Sequence, residues 1–177
     1  MNIDETTRLQ VRERAQFSCE YCGVTETDTG GELTVDHFRP QSKDGTDDLA
    51  NLLYCCPRCN QYKADYWSAD ENEPHLWNPR KEAFATHLLM LTDGTLYSIT
   101  PIGAFTLRRL RLNRPPLVAL RLRRYHHSQE QRLLARYRDL VTVLEQLQTQ
   151  QVTLLEEQRK LLEEQRVLLK LLLEQRR

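Results

Sequence analysis

The chain has 177 residues, 20.9 kDa, 40% apolar side chains and equal numbers of basic and acidic residues, 25 of each. That is enough for one ordinary domain with an appendage or for two small domains, and it excludes a large multidomain enzyme. No stretch reaches the roughly 18 consecutive apolar residues of a membrane helix. The N-terminus, Met1-Asn2-Ile3-Asp4-Glu5, has neither the basic flank nor the apolar core of a secretory signal, so a soluble protein of a reducing, cytoplasmic compartment is expected. The zero net charge averages three regions. Residues 1–100 carry 17 acids and 9 bases, 101–127 carry seven arginines and no acid, and 128–177 carry 9 bases and 8 acids. An arginine block without acids has the composition of a polyanion-binding stripe. Pairing of those arginines with acids of the first hundred residues is the other reading.

Four of the five cysteines fall into Cys19-x-x-Cys22 and Cys56-x-x-Cys59. Two residues between thiolates let both sulfurs face one tetrahedral ion from a tight turn, and Gly23 follows the first pair where such a turn wants a permissive residue. Disulfides are disfavoured without an export signal, so the spacing predicts structural Zn2+, with Cys55 a buried or free thiol. The gap of 33 residues between the pairs is wider than in a zinc ribbon, which predicts an insertion. Within it, residues 33–37 are a short β-branched run suited to a strand, 40–48 are turn-rich, 51–55 form a second strand and Pro57 opens a short helix. Such a ββα unit is too small to bury a core, so zinc clamping its ends explains how it folds.

These residues resemble the HNH endonuclease family in its zinc-knuckle form. The agreement runs over residues 19–63 as Cys-x-x-Cys-Gly, Asp-His-x-x-Pro, Ser-Lys-x-Gly, Asn-Leu and Cys-x-x-Cys-Asn-x-x-Lys. Leu76-Trp77-Asn78-Pro79-Arg80 and the segment on to Arg114 look like an extension found in some bacterial members. The resemblance implies an α+β chain with a ββα-metal nuclease domain that hydrolyses phosphodiester bonds of DNA. It implies His37 as the general base that activates water, Asp36 as a ligand of the catalytic divalent ion and Asn51 as the residue fixing the His37 loop. Asn60 would be the second metal ligand, at the final position where Asn replaces the name-giving His.

The chemistry of these side chains agrees with those roles. A neutral imidazole is a competent base near neutrality when its other nitrogen is held by an acceptor. A carboxylate and an amide oxygen leave most of a metal's shell to water and phosphate, which suits Mg2+ or Mn2+, whereas thiolates select Zn2+. Arg39 and Lys63 are expected phosphate contacts. The competing reading of the same residues is a non-catalytic zinc module that binds DNA and recruits partners through the C-terminal helix.

Further along, His75, His126 and His127 have no comparable surroundings, and His87 has no visible partner. Thr92-Asp93-Gly94-Thr95 between apolar runs predicts a hairpin turn. Thr100-Pro101 predicts an N-cap and first-turn proline opening a helix that carries Arg108, Arg109 and Arg111, anchored by Leu107, Leu110 and Leu112. With Arg114, Arg121, Arg123 and Arg124 they would line one surface along a double-stranded backbone, since Tyr125 is the nearest ring for stacking. From Leu117 onward there is no Gly or Pro. Leu133, Leu140, Leu147, Leu154, Leu161 and Leu168 recur every seven residues, with Leu134, Val141, Leu155, Leu162 and Leu169 beside them. Leu144 and Leu172 share a third row with Gln151, Gln158 and Gln165. This stripe predicts a coiled coil and a homo-oligomer; a solitary amphipathic helix folded back on the nuclease is the alternative. The expected organisation is a nuclease domain over 1–75, a hairpin plus arginine-rich helical extension over 76–127 and an oligomerisation helix over 128–177.

Overall fold

Asp4 opens the first helix, α1 (Glu5–Arg14), by accepting a hydrogen bond from the Thr7 N–H at 2.9 Å. The computed structural model describes residues 3–70 and 72–174, without the side chains of Leu172 and Leu173, so the Leu172 position of the third heptad row lies outside the described side chains. By internal contacts the chain divides into two units, residues 1–125 and 126–177.

In the first unit a short helix, α2 (Glu26–Thr29), is closed by a reciprocal capping box between Thr25 and Asp28. Strands β1 (Thr34–His37) and β2 (Leu52–Cys55) pair antiparallel, with Thr34 opposite Cys55 and His37 opposite Leu52. Helix α3 (Pro57–Lys63) follows at once, with Cys56 as its N-cap and Pro57 at its first position. The order ββα is the one the sequence predicts, and the chain is α+β. Helix α4 (Phe84–His87) leads into the hairpin of β3 (Leu88–Met90) and β4 (Leu96–Ser98), turned at Gly94 with φ 78°.

Helix α5 (Pro101–Arg109) begins as expected, with Thr100 Oγ1 accepting from the Gly103 N–H at 3.0 Å. It ends earlier than expected. Arg111 was placed on this helix by the sequence, but it sits in a left-handed turn at φ 48°. The reason is burial: Leu110 and Leu112 are both fully buried, and residues two apart point about 200° apart on a helix, so the chain must leave the helix to bury both.

One core joins these elements. Val11, Leu52, Leu53, Tyr54, Trp77, Leu88, Leu110 and Leu112 cluster with Cys19, Cys55, Cys56 and Cys59, and each fully buried leucine contributes about 1.5–3 kcal/mol. Tyr54 ties the layers together, accepting from the Leu33 N–H at 2.8 Å and donating to Glu26. His87 is buried inside this unit, with Nδ1 2.7 Å from Thr100 Oγ1 and Nε2 3.2 Å from the Glu82 carboxylate. Its carbonyl marks a close approach of α5, because a Cβ on Gly103 would lie 2.2 Å from His87 O. Gly103→Ala is expected to cost about 2–3 kcal/mol through overpacking, read as a thermal midpoint lowered by roughly 5–10 °C. An unchanged melting curve would contradict this packing.

Helix α6 (Pro115–Glu174) supplies the whole described part of the second unit. Every residue from 129 to 171 is exposed, including both leucine rows. Among the described residues no helix is long and apolar enough to cross a membrane.

Candidate metal centre and HNH site

Two backbone devices bring four sulfurs together. The first is a knuckle in which the Cys19 N–H donates to Val24 O and the Gly23 N–H to Cys19 O, both at 2.8 Å, with Gly23 at φ 72°. The second is the N-terminus of α3, where Cys56 Sγ accepts from the Cys59 N–H at 3.4 Å. The sulfurs of Cys19, Cys22, Cys56 and Cys59 all lie within 4.8 Å of one another, and those of Cys22 and Cys56 are 3.7 Å apart. A tetrahedral zinc with Zn–S bonds of about 2.3 Å needs sulfur–sulfur edges of about 3.8 Å. Donor type and spacing therefore fit a zinc staple. Hydrogen bonds from the neighbouring thiols, Cys22 first, hold Cys19 well below the usual thiol range despite its burial. Cys55 is buried and free beside the cluster.

Arg114 stands against this centre. Its Nη2 is 3.8 Å from Cys59 Sγ and 3.9 Å from Cys56 Sγ, and the guanidinium packs on the Tyr62 ring. The sequence placed Arg114 on the nucleic-acid stripe; its Nη atoms lie instead where they offset the net negative charge of a four-thiolate zinc site. Arg114→Met should weaken zinc binding roughly 10- to 100-fold, as loss of an outer-shell partner does, measured by competition with a chromophoric chelator. Equal affinity in both proteins would remove this role.

The strand alternation of β1 sorts the remaining residues. Thr34 and Asp36 face α3, where Asn60 Nδ2 is 3.4 Å from Thr34 Oγ1 and Lys63 Nζ is 3.0 Å from Asp36 Oδ2. Burial pushes the Asp36 carboxyl up from its usual range, and the Lys63 ammonium pulls it back. Lys63 is fully buried. Lys63 was expected to contact phosphate; in the fold its ammonium is instead buried against the Asp36 carboxylate, whose side chain is 16% exposed.

His37 points the other way, its side chain 15% exposed, with Nε2 2.6 Å from Asp47 Oδ1. Gln41 Nε2 donates to the same oxygen at 2.8 Å. These bonds, that of His37 first, hold the Asp47 carboxyl below its usual range. Asp47 was not singled out from the sequence, where the only signal was that a histidine base needs an acceptor for its second nitrogen. Asn51 closes the loop between them. Its Oδ1 accepts from the Arg39 N–H at 2.8 Å, and its Nδ2 donates to Arg39 O at 3.0 Å and to Thr46 O at 2.8 Å. Gly45 completes the closure, because a Cβ there would lie 1.8 Å from Arg39 O. The Ser-Lys-x-Gly spacing is thus a packing requirement.

Residues 19–65 match the family model described as HNH endonuclease. The chain carries an HNH domain, and Asp36, His37, Asn51, Asn60 and all four zinc-type cysteines lie inside it. No curated protein matches the chain.

Around the HNH domain the arginines divide. Arg108 and Arg111 are exposed, the latter with its guanidinium 4.9 Å from the Tyr62 ring, and Arg123 is exposed as well. Arg39 is half-buried, stacked 4.4 Å over Trp67 and 3.4 Å from the Asp44 carboxylate. Arg109 lies over Tyr66 at 4.3 Å and donates to Lys63 O at 3.1 Å. Arg121 donates to Gly94 O at 2.7 Å and Leu112 O at 2.8 Å, and Arg124 binds Gly23 O at 2.7 Å and the Asp28 carboxylate. Four of the seven arginines of the block, Arg109, Arg114, Arg121 and Arg124, therefore fasten the first unit together, which leaves Arg108, Arg111 and Arg123 for the expected surface.

Proposed function

We propose that this protein is a metal-dependent endonuclease that hydrolyses phosphodiester bonds of double-stranded DNA. The observation that carries the reading is the His37–Asp47 pair at 2.6 Å on a loop pinned by Asn51. With Nε2 held by Asp47, Nδ1 is the nitrogen that accepts a proton from the attacking water. Asp36, on the side of β1 that faces α3, and Asn60, on α3 itself, would hold a Mg2+ or Mn2+ ion through hard oxygens. Asp36 Oδ2 fits that use, being buried with no hydrogen-bond partner, its contact with Lys63 being one of charge. Such an ion, when bound, supplies stabilisation of charge on the scissile phosphate and leaving oxygen. Arg39, Arg108 and Arg111 are the arginines assigned to the phosphate backbone. The heptad stripe of α6 joins copies of the chain, which raises affinity by bivalency. A reducing, cytoplasmic setting would keep the four thiolates available to zinc.

The test is conversion of supercoiled plasmid to nicked and linear forms with Mg2+ or Mn2+, and its arrest by EDTA. Zinc-loaded protein that binds the plasmid and never cuts it would favour the non-catalytic module, for which the prior engagement of Asp36 by Lys63 speaks.

A further inference from the structure

The helical unit carries more apolar surface than a pair of helices can cover. One leucine row runs from Leu133 to Leu168 in steps of seven and a second from Leu134 to Leu169, and their apolar members are 50–61% exposed. The rows lie about 100° apart around the helix, and the row of Tyr137, Leu144, Gln151, Gln158 and Gln165 falls between them, about 40° from the first. A two-stranded coil buries two adjacent rows and leaves the flanking rows at a charged rim. Either choice of seam here strands one of the two rows, with at least five apolar residues, at that rim and brings Gln151, Gln158 and Gln165 into the seam.

A closed ring removes the conflict, because each helix then meets two neighbours. The directions to those neighbours differ by about 90° in a ring of four and about 108° in a ring of five, which brackets the angle of about 100° between the leucine rows. The glutamines set the direction. Buried amides need hydrogen-bond partners, and Gln151, Gln158 and Gln165 find them in one another over the full stripe only when the helices run parallel and in register. The rims agree, since Glu157 and Glu164 flank one leucine row and Arg159 and Arg166 flank the other at the same levels. Arg136 and Arg138 form the like-charged level.

We infer that residues 128–174 assemble as a parallel, in-register ring of four or five copies of this chain, with the leucine rows between neighbours and the glutamine lane toward the axis. The inference rests on the reading that this helix self-associates, and the mass of the full-length, zinc-loaded protein separates the two. Sedimentation equilibrium at tens of micromolar should give four or five chains. Two or three chains would overturn the ring and leave self-association standing, whereas a monomer would overturn both. Direction is read with Gln165→Cys under mild oxidation, against the wild-type chain as control. Interchain crosslinks specific to the variant are expected, and their absence in an assembled protein would overturn the in-register arrangement.

Discussion

His37→Ala is expected to reduce metal-dependent nicking of supercoiled plasmid by about 10²- to 10⁴-fold, the range that a positioned general base contributes. The substitution removes a side chain at the end of β1 that is 15% exposed and whose ring is held by Asp47, and none of the four clustered sulfurs depends on it. Zinc content, far-ultraviolet circular dichroism and plasmid affinity should therefore match the wild type, so that the loss is assigned to chemistry. Asp47→Asn is the companion. It keeps the volume and removes the charge that orients the ring, and a smaller loss of roughly 10- to 100-fold is expected, because the base remains while its tautomer is no longer fixed. The Asp47 carboxyl is held below its usual range. Its contribution is therefore present above the ordinary carboxylate value and fades only as pH falls through the lowered one, so the orienting charge persists throughout the neutral range. Cleavage by His37→Ala at the wild-type rate would sink the assignment of the base.

Loss of the zinc centre is expected to have the largest effect on stability. The sulfurs of Cys19, Cys56 and Cys59 sit in the core that holds β2 and α3, and metal binding in small thiolate sites supplies about 10–16 kcal/mol at neutral pH. That is comparable to the roughly 5–15 kcal/mol by which a whole domain is stable. Stripping the metal with a strong chelator, or substituting Cys56→Ser, should abolish the cooperative melting of the first unit and the binding of one zinc per chain. Cys55→Ala is the control. That thiol is equally buried and free, and its loss should cost about 1 kcal/mol with zinc stoichiometry intact. Retention of one zinc and an unchanged melt in Cys56→Ser would show that the sulfur cluster is not the staple.

Much of this architecture is legible in the sequence where one local rule decides. The two Cys-x-x-Cys pairs meet in one cluster because their spacing matches a tetrahedral ion. Both strands of the HNH domain begin one residue after the expected start, and Thr100 caps α5 as its hydroxyl and the following proline dictate. What the sequence concealed depends on distant partners. Helix α1 has a single buried residue, Val11, so its periodicity is too weak to read. Lys63 looks like a surface cation until Asp36 is placed beside it. Arg114, Arg121 and Arg124 look like a nucleic-acid stripe until the knuckle, the hairpin turn and Asp28 supply their acceptors. His87 is a packing histidine for the same reason, its partners Glu82 and Thr100 being brought to it by the fold.

The three arginine fastenings at the start of α6 also set the smallest portable form of the first unit. Arg114 on the sulfurs of Cys56 and Cys59, Arg121 on the hairpin turn and Arg124 on Gly23 O all belong to the first unit, although two of them lie on the helix that goes on to form the second. A fusion partner grafted at Asn113, where α5 and its turn have ended, would strip the zinc knuckle of its guanidinium supports. A graft after Tyr125 would keep them, so the helical tail can be exchanged for another module only from that point onward.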